Sequence, residues 1–146
     1  MAGVTDLAFR KMIRLFDKET LIATEMVSSK ALMYKPDQPL MKLSDDEHPV
    51  GIQLFGHETD VMAKAALMAE AQGADFIDIN MGCPDPKITK GKDGAALMRE
   101  PELAVDIAQA VINAVKIPVT VKMRLGWDEC QKNASDLAKR LEQIGV

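Results

Sequence analysis

From residue 50 onward the chain alternates short apolar runs with amphipathic ones, and this rhythm limits its fold more than any other feature. Val50-Gly51-Ile52-Gln53-Leu54-Phe55 reads as a strand that ends at Gly56. A helix is predicted from about Glu58 to Gln72, with Val61, Ala65, Met68 and Ala69 at helical spacing and Gly73 placed to stop it. A second strand covers residues 75–80, and a long loop follows to about residue 93. In the next helix Pro101 suits the first turn, and Glu100 and Glu102 suit the helix dipole. Its stripe is Ala104, Ala108, Val111, Ile112 and Val115. Pro118 opens a third strand, Val119-Thr120-Val121-Lys122-Met123, and a last helix from about Glu129 carries Ala134, Leu137, Leu141 and Ile144. Strands alternating with helices make βαβ units and a parallel sheet. No GxGxxG follows any strand, which argues against a dinucleotide-binding Rossmann fold.

The first fifty residues are less regular. Thr5 or Asp6 can cap a helix whose apolar face is Phe9, Met12, Ile13 and Phe16. Thr20 to Glu25 reads as a short β run, and a weaker segment extends to about Lys35. Residues 36–49, with Pro36, Pro39, Asp45, Asp46 and Pro49, have the composition of a loop.

With 47% hydrophobic and 27% charged residues in 146, the chain can bury one core and is not disordered. A formal net charge of −4 gives no support for a broad basic surface, so contact with a polyanion would need a local patch. Cys83 and Cys130 form no CxxC pair and the two histidines are far apart in the chain. Structural zinc, any other metal site and a disulfide framework are therefore not expected. No apolar run approaches the ~18–20 residues of a membrane span. With no signal peptide in view, no membrane association and a cytoplasmic location are expected.

The chemistry gathers at the ends of the three strands. Val50, Ile52 and Leu54 share one parity, as do Ile77 and Ile79, and Val119 and Val121. Gln53, Asp78, Asn80, Thr120, Lys122 and Arg124 fall on the opposite parity, because successive strand side chains face opposite ways. With the aliphatic rows under the helices, Gln53, Asn80 and Lys122 point toward the axis of an α/β barrel, near the end where such barrels keep their chemistry. A lysine aimed inward needs an anionic partner. Either Lys122 pairs with Asp78, or the site takes a flat, polar, partly anionic ligand such as reduced flavin, with Gln53 on the ring's donors and acceptors.

Cys83 follows the second strand between Gly82 and Pro84, which places its thiol on a loop; the alternative is a small buried hydrophobe. An ordinary thiol, with a pKa of about 8.5, is mostly protonated near neutrality and can donate a proton. A thiolate role would need an activating histidine, and His57 alone lies near a strand end, where a local hydrogen bond is the simpler reading. Lys87, Lys90, Lys92 and Arg99 on the following loop are either solvated charges or phosphate contacts for RNA.

Taken in order, several motifs resemble the bacterial tRNA-dihydrouridine synthase family. They are Met-Ala-Gly-Val-Thr-Asp at 1–6, Gln-Leu-Phe-Gly at 53–56 and Asp-Ile-Asn-Met-Gly-Cys-Pro at 78–84, then Gly-Ala-Ala-Leu-Met at 94–98 and Val-Lys-Met-Arg-Leu-Gly-Trp-Asp at 121–128. The resemblance implies a TIM (β/α)8-barrel enzyme that uses FMN, with NADPH as electron donor, to reduce selected uridines in tRNA. It implies that the Met1-Ala2 backbone lies against the flavin, that Gln53 and Lys122 bind its ring, and that Asn80 holds the target uracil. Cys83 would protonate C5 after hydride reaches C6, and Arg124 would lie near substrate or cofactor.

Members of that family begin with a strand before the Met-Ala-Gly motif and continue into a His-Gly-Arg strand, FMN-phosphate loops and a helical RNA-binding domain. None of these stands in this sequence. A barrel of this type needs roughly 250 residues. Residues 1–146 are thus expected to be the N-terminal portion of the barrel, about half of it, and to lack turnover alone. Its open sheet edges are expected to invite self-association. Two other readings compete: an FMN barrel of the dihydroorotate dehydrogenase type, and a non-catalytic α/β fragment that folds by pairing with another chain.

Overall fold

The computed structural model describes residues 2–146; the expectation for Met1 lies outside the described residues. The architecture is α/β, with parallel strands curled into half of a (β/α)8 barrel and helices outside them. The central strands are β3 (Val50–Phe55), β4 (Phe76–Met81) and β5 (Val119–Met123), joined by parallel pairings. Two short pieces, β1 (Ile22–Ala23) and β2 (Val27–Ser28), pair in turn along the free side of β3. Between them the edge advances from Ala23 to Val27, four residues, while β3 advances only from Gly51 to Leu54, three. The edge therefore carries one extra residue, a bulge that the predicted run Thr20–Glu25 did not show. The Thr24 hydroxyl bridges the break by accepting the Gln53 N–H at 3.2 Å.

Helices α3 (Thr59–Ala71) and α5 (Pro101–Ala114) cover the aliphatic face of the sheet and pack on each other. Their buried faces are small: Met62, Ala65, Ala66 and Ala69 on α3, and Ala104, Ile107, Ala108 and Val111 on α5. Alanine both favours the helix and lets it sit close to its neighbours. The predicted stop at Gly73 is a left-handed residue, φ 91°, whose N–H reaches Glu70 O at 2.9 Å while Ala74 N reaches Ala69 O at 3.3 Å. That pair of bonds closes the helix end. Under these helices Ile52, Leu54, Ile77 and Ile79 have no exposed surface, so the predicted strand parity holds. Burial there is worth about 1.5–3 kcal/mol for each large side chain.

Two expectations need correction. Helix α1 (Leu7–Phe16) is capped by Asp6, as one of the two expected caps, with Phe9 N–H on its carboxylate at 2.8 Å. Its buried residues are not the apolar stripe, however, but Arg10 and Arg14. Met12 and Phe16 are 48% and 85% exposed. The two arginines, four apart and so on one face, reach the loop before β3. Arg10 Nε meets Glu47, and Arg14 donates to the carbonyls of Glu47, Thr20 and Pro49. Directed charge-assisted bonds to the buried Glu47 and to nearby backbone carbonyls set the helix orientation here, where periodicity had suggested apolar contact.

The last helix, α6, runs Ala134–Gln143 and starts five residues later than expected. Asp128 captures the N–H groups of Cys130 and Gln131 at 2.8 and 2.9 Å, and this local turn competes with helix formation. Short α2 (Ser29–Tyr34) and α4 (Pro86–Thr89) complete the elements the site requires.

Candidate functional site

Parallel pairing sets Gln53, Asp78 and Thr120 side by side across β3, β4 and β5, with Asn80 and Lys122 paired one level nearer the strand ends. All five lie opposite the aliphatic rows. Gln53, Asp78 and Asn80 are buried, so each polar atom needs a partner. Thr120 Oγ1 donates to Asp78 Oδ1 at 2.8 Å, and Gln53 Nε2 donates to Asp78 Oδ2. Gln53 Oε1 accepts from Asn80 Nδ2 at 3.0 Å. Asn80 Oδ1 then accepts from the N–H groups of Gly82 (3.2 Å) and Cys83 (3.0 Å). A continuous row thus runs from β5 to the turn that carries the thiol. Burial holds the Asp78 carboxyl above the ordinary carboxylate range; the bonds from Gln53 and Thr120 and the charge of Lys122 act against that rise.

Cys83 itself is half-buried and free. Its carbonyl is held by Ala95 N–H at 2.9 Å. Gly94 permits that contact. It has φ 59°, and a Cβ there would lie 2.8 Å from Cys83 O, which no ordinary residue tolerates. The Gly-Ala-Ala-Leu-Met stretch therefore buttresses the thiol turn from behind. His57 bonds Asp93 at 2.7 Å and does not line the cleft described next; the local reading of that histidine holds.

A cleft of about 360 Å³ opens at the strand ends, lined by Ala2, Met26, Gln53, Asn80, Cys83, Lys122 and Arg124, among others. Six of the seven site residues expected from sequence meet there; Met1 is outside the described residues. Lys122 and Arg124 are exposed, and among the described residues neither makes an ion pair. The simple Lys122–Asp78 pairing is therefore not what the structure forms, although Lys122 acts on Asp78 through space. A larger groove of about 680 Å³ flanks α1 between Met12, Leu15 and His48, but it has no convergent row of strand-end polar groups.

Chemically the cleft offers fixed amides, a thiol and an ammonium that makes no ion pair among the described residues. These groups suit a ligand that offers carbonyl acceptors and negative charge. Sequence reasoning missed Met26, which the edge bulge brings against Asn80, 3.8 Å from Nδ2 to Sδ. It also treated Asp78 only as a partner for Lys122 and gave Thr120 no role; their shared parity with Gln53 was the available signal. Beyond the thiol, Lys87, Lys90 and Lys92 are exposed without an acidic partner among the described residues. Arg99 instead stacks over the Trp127 ring at 5.1 Å. Among the described residues no cluster of His, Cys, Asp or Glu could hold a metal ion, and no helix is long and apolar enough to cross a membrane.

Known proteins resemble the chain along its whole length. The family profile for dihydrouridine synthase (Dus) matches residues 1–146. A probable tRNA-dihydrouridine synthase of Rickettsia bellii is 48% identical over 149 residues, covering 100% of this chain and 45% of that protein. Probable tRNA-dihydrouridine synthase 1 of Synechocystis is 45% identical over 147 residues, covering 100% of this chain and 41% of its own length. tRNA-dihydrouridine synthase B of Shewanella oneidensis is 40% identical over 148 residues, covering 100% and 46%. The chain thus spans less than half the length of these curated relatives. With the motif residues gathered in one cleft and the match running end to end, the chain belongs to the dihydrouridine synthase family.

Proposed function

We propose that residues 1–146 form the N-terminal portion of the barrel catalytic domain of an FMN-dependent enzyme that reduces uridine to 5,6-dihydrouridine in tRNA, with NADPH as electron donor. The observation that carries this reading is the meeting of Gln53, Asn80, Cys83, Lys122 and Arg124 in one cleft. The residues fit a flavin. Among the described residues Lys122 makes no ion pair that a ligand would have to break, and the Ala2 end of the cleft gives apolar cover. Lys122 would stabilise negative charge at the pyrimidine edge of the ring, and Gln53 would offer its second N–H there.

FMN bound there would supply, in its reduced form, the hydride that C6 of the uracil accepts. The remaining work falls to this chain's own groups. Cys83 donates the proton that C5 requires, so hydride and proton together saturate the double bond. Asn80 holds the base. One of its N–H groups faces only the Met26 thioether, a weak acceptor, and a uracil carbonyl oxygen can take that place. Arg124 and the lysines at 87, 90 and 92 would meet phosphate or the base's surroundings, and the uracil must leave its stack to enter. The substrate is cytoplasmic tRNA, so the enzyme works in the cytoplasm. Alone, residues 1–146 bind FMN weakly, turn nothing over and associate through the exposed edges of β1 and β5.

Lys122→Met in the intact enzyme tests the flavin assignment. FMN affinity, read by titration of flavin absorbance, should fall by about tenfold or more, the loss of one charge-assisted contact. Unchanged affinity would remove Lys122 from the flavin site.

A further inference from the structure

We infer that Asp78 is a positioning residue whose buried carboxylate fixes the direction of the amide row Gln53–Asn80, so that the Asn80 oxygen faces the Gly82 and Cys83 N–H groups. This deepens the reading of the cleft as a catalytic site and, for its turnover consequences, rests on that reading. Both Asp78 oxygens accept, one from the Thr120 hydroxyl and one from Gln53 Nε2, as a carboxylate that donates nothing does. The end of Gln53 that meets Asp78 must then be its NH2, which leaves Oε1 toward Asn80. Oε1 demands a donor, so Asn80 turns Nδ2 to it and Oδ1 to the thiol turn. Each amide taken alone has two ways to sit. The acceptor-only group at the far end of the row selects one. With the row reversed, Asn80 would set its NH2 against two N–H donors, and the Cys83 turn would lose both bonds.

Thr120 gives this proposal its test. Its hydroxyl lies 2.8 Å from Asp78 Oδ1 and 3.4 Å from Ile77 O. In Asp78→Asn, that hydroxyl can accept from the introduced NH2 and donate to Ile77 O. The introduced amide oxygen then still faces Gln53, and the row keeps its direction. In Thr120→Val the carboxylate remains and the direction holds again. Only the two substitutions together leave the introduced amide free to turn its NH2 toward Gln53 and reverse the row. Adding Asn80→Asp should then repair the double variant. A carboxylate at position 80 accepts from Gln53 on one oxygen and from the thiol turn on the other.

The measurement is the alkylation rate of Cys83 by iodoacetamide in the intact, flavin-free enzyme, with the exposed Cys130 replaced by serine. Each single variant should stay within about threefold of the parent, and the double should exceed the product of the singles by about tenfold or more, as groups sharing one network do. The triple variant should return to near the parental rate. A double equal to the product of the singles, or a single that shows the full change, overturns the proposal. If the double does not fold, the triple decides: it folds and reacts slowly if row direction matters, and is no better than the double if it does not. Because alkylation needs neither flavin nor tRNA, its failure overturns only the positioning role. A parent enzyme that binds no flavin and reduces no uridine would overturn only the reading of function.

Discussion

Cys83→Ala in the intact enzyme is expected to slow dihydrouridine formation by about 10²–10⁴-fold, the range for loss of a placed general acid. Flavin reduction by NADPH should proceed at nearly the parental rate. The split follows from where the thiol sits. Cys83 lies on the turn beyond β4, tied by its N–H to Asn80 and by its carbonyl to Ala95, and it lines the same cleft as Lys122 and Gln53. Its side chain makes none of the bonds that hold the polar row together, so removing the thiol leaves the proposed flavin contacts in place. Stopped-flow absorbance separates the two half-reactions, reduction by NADPH and reoxidation by tRNA. Equal loss in both halves would mean that the thiol supports flavin binding and does not act as the acid.

Glu47→Ala should bring the largest loss of stability, about 3–5 kcal/mol, as expected when one partner of a buried ion pair is removed. Arg10 and Glu47 have side chains only 5% and 0% exposed and meet at 2.5 Å. The same carboxylate accepts the Ser44 N–H at 2.7 Å. Truncation strands a buried guanidinium and a backbone donor together, while among the described residues Arg10 keeps the bond to Thr5 O at 2.7 Å. Glu47→Gln keeps an acceptor for one of them and should cost less. Urea unfolding of the two variants against the parent measures the difference. A loss below about 1 kcal/mol for Glu47→Ala would place this contact among ordinary surface pairs.

The parts of the fold legible in the sequence were those governed by period. Alternation in Val50–Phe55, Phe76–Met81 and Val119–Met123 placed the aliphatic rows under α3 and α5 and so placed Gln53, Asn80 and Lys122 at one mouth. Gly73 and Pro101 marked helix ends because their backbone constraints act locally. What escaped was set by distant partners. The face of α1 is chosen by Glu47, some 37 positions beyond Arg10, and no local pattern encodes that. The extra residue between β1 and β2 exists only relative to β3, and Met26, which lies in that stretch, meets Asn80. The late start of α6 was in principle readable, since Asp128 is a turn former, but the apolar spacing after it argued the other way.

Everything proposed for the cleft requires groups from three successive strands to enclose one planar ligand beside a proton donor. A crystal structure of the intact enzyme with FMN decides this. The isoalloxazine ring should lie in the cleft between Ala2, Cys83 and Lys122, with Gln53 and Lys122 within hydrogen-bond distance, about 2.7–3.2 Å, of its pyrimidine edge. A ring bound elsewhere, or bound in the cleft with both side chains turned away, would contradict it.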